Sequence, residues 1–275
     1  MKTATTTCRC WHRLGLTRPT VAAEPLILVT VARTTGSVPR EEGAWMAVTP
    51  DGITGTVGGG HLEFDAIARA RRALDGDELE AEVRYPLGPS LGQCCGGVVW
   101  LAFERVAAGE DLAAHVPQPP QRPLALFGAG HVGLAIAHIA RDLPLALHWI
   151  DSREGQFPDE PPERGWRQEV CDPAADAVDD LSPGSAVLVM SHNHAEDFEI
   201  IAACLRRQRE RGDLVFIGMI GSRTKWASFR QRLEARGFTE TDLARVVCPI
   251  GVPGVAGKQP AVIAIAALAQ VLALP

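Results

Sequence analysis

Continuous apolar runs and helix-spaced apolar positions alternate along this chain, and their order predicts its architecture. Leu26–Ala32 (LILVTVA) is unbroken and rich in β-branched residues, which predicts a buried strand. Trp45–Thr49 reads as a second strand, closed by the turn residues Pro50-Asp51-Gly52. Thr54–Val57 is short and extended and runs into Gly58-Gly59-Gly60. Leu62, Ala66, Ile67 and Ala70 then fall on one face of a helix predicted from near His61 to about Leu74. Glu78–Tyr85 and Val98–Glu104 complete a small sheet. Ala107–Pro123 carries Pro117, Pro119, Pro120 and Pro123 among polar residues and reads as a linker, with residues 107–122 between the domains.

Beyond the linker the alternation is plainer. Strands are predicted at Leu124–Phe127, Ala146–Ile150, Arg167–Val170, Ala186–Met190 and Leu214–Ile217. Helices are predicted from the loop after Phe127 to about Asp142, and over Glu196–Glu210, Lys225–Arg236 and Pro260–Leu274. The expected fold class is α/β: a mixed α/β domain over residues 25–106, then a Rossmann-like, doubly wound parallel-sheet domain over residues 123–275. Residues 1–24 are expected to be a poorly structured N-terminal segment, because Met1–Thr20 has four basic residues and no continuous apolar stretch.

Composition narrows the function classes. The 275 residues are 46% hydrophobic and 22% charged with a formal net charge of −6, which argues against a nucleic-acid partner. A single tyrosine, Tyr85, and few other aromatics argue against a base-stacking platform. The apolar Ala261–Leu274 run is too short to span a bilayer, so no membrane partner is expected. Seven cysteines, odd in number and scattered, fit a reducing compartment, and a cytoplasmic location is the expectation.

The candidate chemistry starts at Leu91-Gly92-Gln93-Cys94-Cys95-Gly96-Gly97. Adjacent cysteines are poorly placed to bridge each other and lack the spacing of zinc knuckles. The glycines remove bulk, so a large ligand could approach a thiolate and the neighbouring amides together. A tight turn carrying two small buried hydrophobes is the competing reading. Gly58-Gly59-Gly60 ahead of a helix presents amides to an anion, or is a flexible turn. Glu63 in the first helical turn either meets a polar ligand edge or complements the helix dipole.

In the second domain, Gly128-x-Gly130-x-x-Gly133 follows a strand and opens a helix, and Asp151 ends the next strand. That is the context of a dinucleotide fingerprint, with Asp151 placed to accept from a ribose hydroxyl. His131 touches a ligand or packs the helix start. Ser222, Arg223 and Lys225 follow the strand Leu214–Ile217, at the sheet edge where open α/β sheets bind ligands; the two cations could clamp a phosphate there, against the competing reading of a solvated basic helix start, which opposes the dipole. His192 and His194 occupy the same edge without an obvious third metal ligand.

Taken together, Leu28–Met46, Gly55–Glu63, Leu91–Gly97, Leu126–Gly133, Gly218–Lys225 and Pro249–Pro260 resemble, in order, the motifs of the XdhC family of xanthine dehydrogenase accessory proteins. The resemblance implies an XdhC/CoxI-type domain followed by a Rossmann domain. It also implies a chaperone-like maturation factor that binds the molybdenum cofactor in its molybdopterin form, for sulfuration and insertion. Xanthine dehydrogenase, a cysteine desulfurase and a second copy of the chain are the implied partners. On this reading Cys95 contacts molybdenum or handles sulfur, with Cys94 second. Arg40 is a ligand-facing cation, or the partner of Glu41 or Glu42 in a surface salt bridge. Gly58, Gly59, Gly60, Glu63, Gly96, Gly97, Gly128, Gly130, His131, Gly133, Asp151, Ser222, Arg223, Lys225 and Lys258 contribute to cofactor binding. The competing reading is an NAD(P)-dependent oxidoreductase using the Gly128–Gly133 loop and Asp151, although no Tyr-x-x-x-Lys constellation accompanies it.

Overall fold

Strand β1 (Leu26–Thr35) runs through the centre of the first of two sheets and accounts for the longest apolar run of the N-terminal half. The computed structural model describes residues 22–88, 96–117, 120–159 and 165–275, and the chain divides into two units, Met1–Pro119 and Pro120–Pro275. In the first unit, β1 is followed by β2 (Trp45–Val48), β3 (Ile53–Gly55), α1 (Gly60–Leu74), β4 (Glu82–Pro86), β5 (Val98–Val106) and the short α2 (Leu112–His115). The strands pair antiparallel in the order β3-β2-β1-β5-β4.

The apolar run of β1 is continuous because both its faces are covered. Ile27, Val29 and Val31 pack with Leu62, Ala66 and Ala70 of α1. Leu26 and Leu28, pointing the other way, pack with Ala22, Ala47, Val106, Leu112 and Val116. Within the stretch expected as a linker, Leu112 and Val116 are therefore buried in the first unit. β1 also extends past its expected end, pairing with β5 as far as Thr35 opposite Val98, with a register shift between Val31 and Arg33. Glu78–Ala81, expected as strand, lies outside β4.

The second unit contains β6 (Arg122–Phe127), α3 (His131–Ala140), β7 (Leu145–Asp151), β8 (Arg167–Val170), a 3-10 turn over Ala174–Asp180, and β9 (Ala186–Val189). Then follow α4 (His194–Glu210), β10 (Phe216–Met219), α5 (Arg223–Ala235), α6 (Glu240–Leu243), β11 (Val246–Val247) and α7 (Pro260–Leu272). All pairings are parallel, in the order β11-β10-β9-β6-β7-β8. The chain winds outward from β6 in one direction and returns to begin again at β9. The carboxyl ends of β6 and β9 thus flank the point where strand order reverses, which is where such sheets bind ligands.

Each face of this sheet has its own core. α3 and α7 cover Leu124, Leu126, Leu147, Trp149 and Leu188. α4, α5 and the 3-10 turn cover Phe127, Ile150, Val187, Val189 and Ile217. Arg207 of α4 is almost wholly buried, donates to the Val178 and Leu181 carbonyls, and pairs with Asp213. Its guanidinium donors are thus matched by carbonyls and a carboxylate inside the protein. Among the described residues, no helix is long and apolar enough to cross a membrane.

Candidate functional site

Three glycine-bearing segments meet at one edge of the first unit. Because β1 and β5 pair to Thr35 and Val98, the segments leaving their ends emerge side by side. The Gly97 amide donates to the Ser37 carbonyl at 3.1 Å, and the Leu87 amide donates to the Gly97 carbonyl at 2.8 Å. A Cβ on Gly97 would lie 2.5 Å from both the Ser37 and Thr35 carbonyl oxygens, so nothing larger than glycine fits. On the other side, a Cβ on Gly58 would lie 2.6 Å from Pro39 Cγ and 3.7 Å from Arg40 Cγ. The Gly36–Arg40 segment is thus held between the triple glycine and Gly96-Gly97.

At the head of α1, Glu63 folds back over the glycine turn. Its Oε2 accepts from the Val57 amide at 3.0 Å, the Gly59 amide at 3.2 Å and the Thr56 hydroxyl. Gly59 is the N-cap and offers no side chain, and Glu63 reaches back to the N-cap amide as the acid of a capping box does. The carboxylate sits in the first turn of α1, where it complements the dipole, and it also organises the glycine turn. Among the described residues, a Cβ on Gly59 or on Gly96 would meet nothing within 4 Å. Arg40 lies over this turn with a third of its side chain exposed, 3.3 Å from Glu41. The Glu41 carboxyl is held below its ordinary range, first by its own backbone amide and then by Arg40. Cys94 and Cys95 lie outside the described residues.

In the second unit, the glycine loop after β6 sits where strand order reverses. A Cβ on Gly128 (φ +117°) would lie 2.2 Å from the Met190 carbonyl oxygen, at the end of β9. One on Gly133 would lie 2.0 Å from the Gly128 carbonyl oxygen. Both glycines are therefore required by packing, whereas the Cβ position of Gly130 is open. His131 is exposed in the first turn of α3.

Asp151 is 3% exposed, and its acceptor positions are filled by the protein. Oδ2 accepts from the Ala129 amide at 2.7 Å and Arg153 Nη2 at 3.0 Å; Oδ1 accepts from the Arg153 amide at 3.0 Å and Nε at 2.9 Å. Burial works to raise its pKa, but the Arg153 guanidinium and the two amides outweigh it and hold the carboxyl below its ordinary range. The ribose-accepting role expected of Asp151 meets a carboxylate whose four lone-pair directions are taken.

The Gly218–Lys225 segment divides its residues between structure and surface. Ser222 caps α5, its hydroxyl accepting from the Lys225 amide at 3.1 Å. Lys225 Nζ donates to Asp197 Oδ2 at 2.6 Å and to the Ile220 carbonyl at 3.1 Å. Asp197 is 1% exposed and also accepts from the Ser191 amide and hydroxyl, each at 2.8 Å. Lys225, expected as half of a phosphate clamp, instead ties α5 to the start of α4. Arg223 and Lys258 are exposed. His192 lies 3.1 Å from Glu196, and no group of His, Cys, Asp and Glu among the described residues could hold a metal ion. One thiol escaped the sequence reasoning: Cys248 Sγ would lie 3.3 Å from a Cβ on Gly221. Burial pushes the Cys248 pKa up, with Lys225 pulling it back. Only its position directly before the Pro249 motif signalled it.

Residues 124–271 match the XdhC Rossmann domain, and residues 21–86 match the XdhC and CoxI family. The uncharacterized protein YqeB of Escherichia coli (strain K12) is 29% identical over 254 residues, which is 90% of this chain and 43% of that protein. The chain thus spans less than half the length of that relative. A crystal structure described as a xanthine dehydrogenase from Bacillus halodurans superimposes with a TM-score of 0.67 at 21% identity. The superposition covers 90% of this chain and 91% of the other, and it shows a shared fold.

Proposed function

The chain belongs to the XdhC family, and from that premise we propose that it is an accessory protein of xanthine dehydrogenase that holds the molybdenum cofactor for sulfuration and insertion. The observation that carries the reading is the convergence of Gly36–Arg40, Gly58–Gly60 and Gly96-Gly97 on one edge of the first unit, with no described residue against the Cβ positions of Gly59 and Gly96.

The residues present fit such a ligand. Open space beside Gly59 and Gly96, among the described residues, leaves room for a bulky group. Arg40 supplies positive charge that suits an anionic ligand. Cys94 and Cys95, immediately before Gly96 in the sequence, supply thiols of the kind that soft metals prefer. When bound, the cofactor brings a sulfur-ligated molybdenum centre and an anionic pterin. The chain's own part is to orient and protect it: Glu63 holds the glycine turn in shape, Gly97 keeps the Ser37 segment in register, and Arg40 offsets negative charge on the pterin. Xanthine dehydrogenase as recipient, a cysteine desulfurase as sulfur donor and a homodimeric assembly complete the proposal.

The test is anaerobic incubation of the purified chain with the cofactor, followed by gel filtration and measurement of co-eluting molybdenum. Wild type is expected to retain it, Arg40→Ala to retain less, and Cys95→Ala least. Equal retention by all three, or none by wild type, removes the reading.

A further inference from the structure

The crevice of the second unit contains an arrangement that the accessory role does not explain. Asp151 stands where a dinucleotide fold normally presents a carboxylate to a ribose diol, yet Arg153, two residues later, closes a fork on it. The pairing uses the Nε/Nη2 edge of the guanidinium. Nη1 makes no hydrogen bond among the described residues, and more than a third of the Arg153 side chain is exposed. Asp151 cannot turn away, because the Ala129 amide of the glycine loop holds its Oδ2 at 2.7 Å. A diol approaching this carboxylate finds no free lone pair, whereas an anion approaching the same place finds a charged, pre-aimed donor. Gly130, whose Cβ position is empty, leaves the adjoining loop open to a ligand. Glu196, the other acid acting on Arg153, lies 3.1 Å from His192.

We propose that Arg153 is the specificity-determining residue of this crevice, and that Asp151 is a positioning residue which holds it to receive a phosphate monoester in place of a ribose diol. The inference deepens the proposed function by assigning a ligand chemistry to the Rossmann unit. Two sources carry that chemistry: the terminal phosphate of a pterin cofactor, and the 2′-phosphate of a phosphorylated dinucleotide.

The experiment uses the full-length chain and three probes: NADH, NADPH and the molybdenum cofactor, each titrated against wild type, Arg153→Ala and Arg153→Lys. Folding of the variants is checked by circular dichroism and thermal melting. Wild type is expected to bind at least one phosphate monoester, NADPH or the cofactor, about tenfold more tightly than NADH. Arg153→Ala is expected to lose that advantage and, by freeing Asp151, to bind NADH more tightly than wild type does. Arg153→Lys restores the charge without the fork and is expected to recover the preference in part. A preference for NADPH with no cofactor effect identifies the 2′-phosphate as the source; an Arg153-dependent cofactor affinity identifies the pterin phosphate. Binding of NADH by wild type as tightly as either phosphate monoester overturns the proposal. So does affinity for both that is absent, or present and unmoved by Arg153→Ala. Arg153-dependent NADPH binding without any cofactor retention leaves this inference standing and removes the accessory reading.

Discussion

Gly97 donates its amide to the Ser37 carbonyl at 3.1 Å, joining two segments sixty residues apart in the sequence. The contact places the residues that follow the paired cysteines against the segment that carries Arg40. It exists because β1 and β5 are neighbours in the sheet, and because neither Gly97 nor Gly36 carries a side chain at their meeting point.

Gly97→Ala therefore tests this edge directly. The new methyl group would sit 2.5 Å from two carbonyl oxygens and 2.9 Å from Val38 Cγ1. The expected loss is about 1–3 kcal/mol, read as a lowered melting temperature. Gly96→Ala, with no described residue within 4 Å of its Cβ, is expected to leave the melting temperature within about a degree or two while weakening cofactor retention. The two variants separate a packing role from a ligand-facing one.

Removing the charge of Lys225 leaves Asp197 buried without its partner. Lys225→Met is expected to cost about 3–5 kcal/mol in urea denaturation. Adding Asp197→Asn to that background is expected to recover part of the loss, because the remaining side chain no longer carries a buried charge.

The pH dependence of stability follows from groups whose folded pKa lies below the unfolded one. Asp151 is held low, with Arg153 and two amides overcoming burial; Asp213 is held low mainly by Arg207. Each contributes stability that is complete above the ordinary carboxylate pKa of about 4 and is lost as pH falls through its depressed folded value. His148 is also lowered, chiefly by burial, so its contribution is complete above about 6.5 and declines as pH falls below that. The urea midpoint is expected to be flat near pH 7–8, to slip through pH 6, and to fall steeply below about 4. His148→Asn is expected to remove the first decline and leave the second.

Thiol reactivity should differ by position. Cys204 is wholly buried, and its pKa is pushed up to about 12, so alkylation of the native protein at pH 8 is expected to spare it. Cys248, half-buried, its pKa raised by burial and only partly pulled back by Lys225, is expected to react slowly, and faster than Cys204. Mass spectrometry of the alkylated peptides reads the order. Equal labelling of both would contradict the burial described above.

The fold was largely legible where the signal is local. The apolar run of β1, the glycine spacing after β6 and the helix-spaced residues of α1 all lie within a few residues of one another. Periodicity and turn chemistry act at that range. α6 and β11, four and two residues long, have no period to read and were missed. Burial of Leu112 and Val116 was also missed, because prolines nearby spoke for a linker while the apolar partners are on β1.

The candidate site divides the same way. The sequence alone determined which residue types were present: two thiols beside glycines, a glycine loop opening α3, an acid ending β7, and cations opening α5. It could not determine which of them were already committed. Glu63 is taken up by the Thr56–Gly59 turn, Lys225 by Asp197 twenty-eight residues away, and Asp151 by Arg153 and Ala129. Only the tertiary structure decided this, for a physical reason. A polar group buried by folding must find its partner inside the protein, and that partner is chosen by how strands and helices pack, not by distance along the chain.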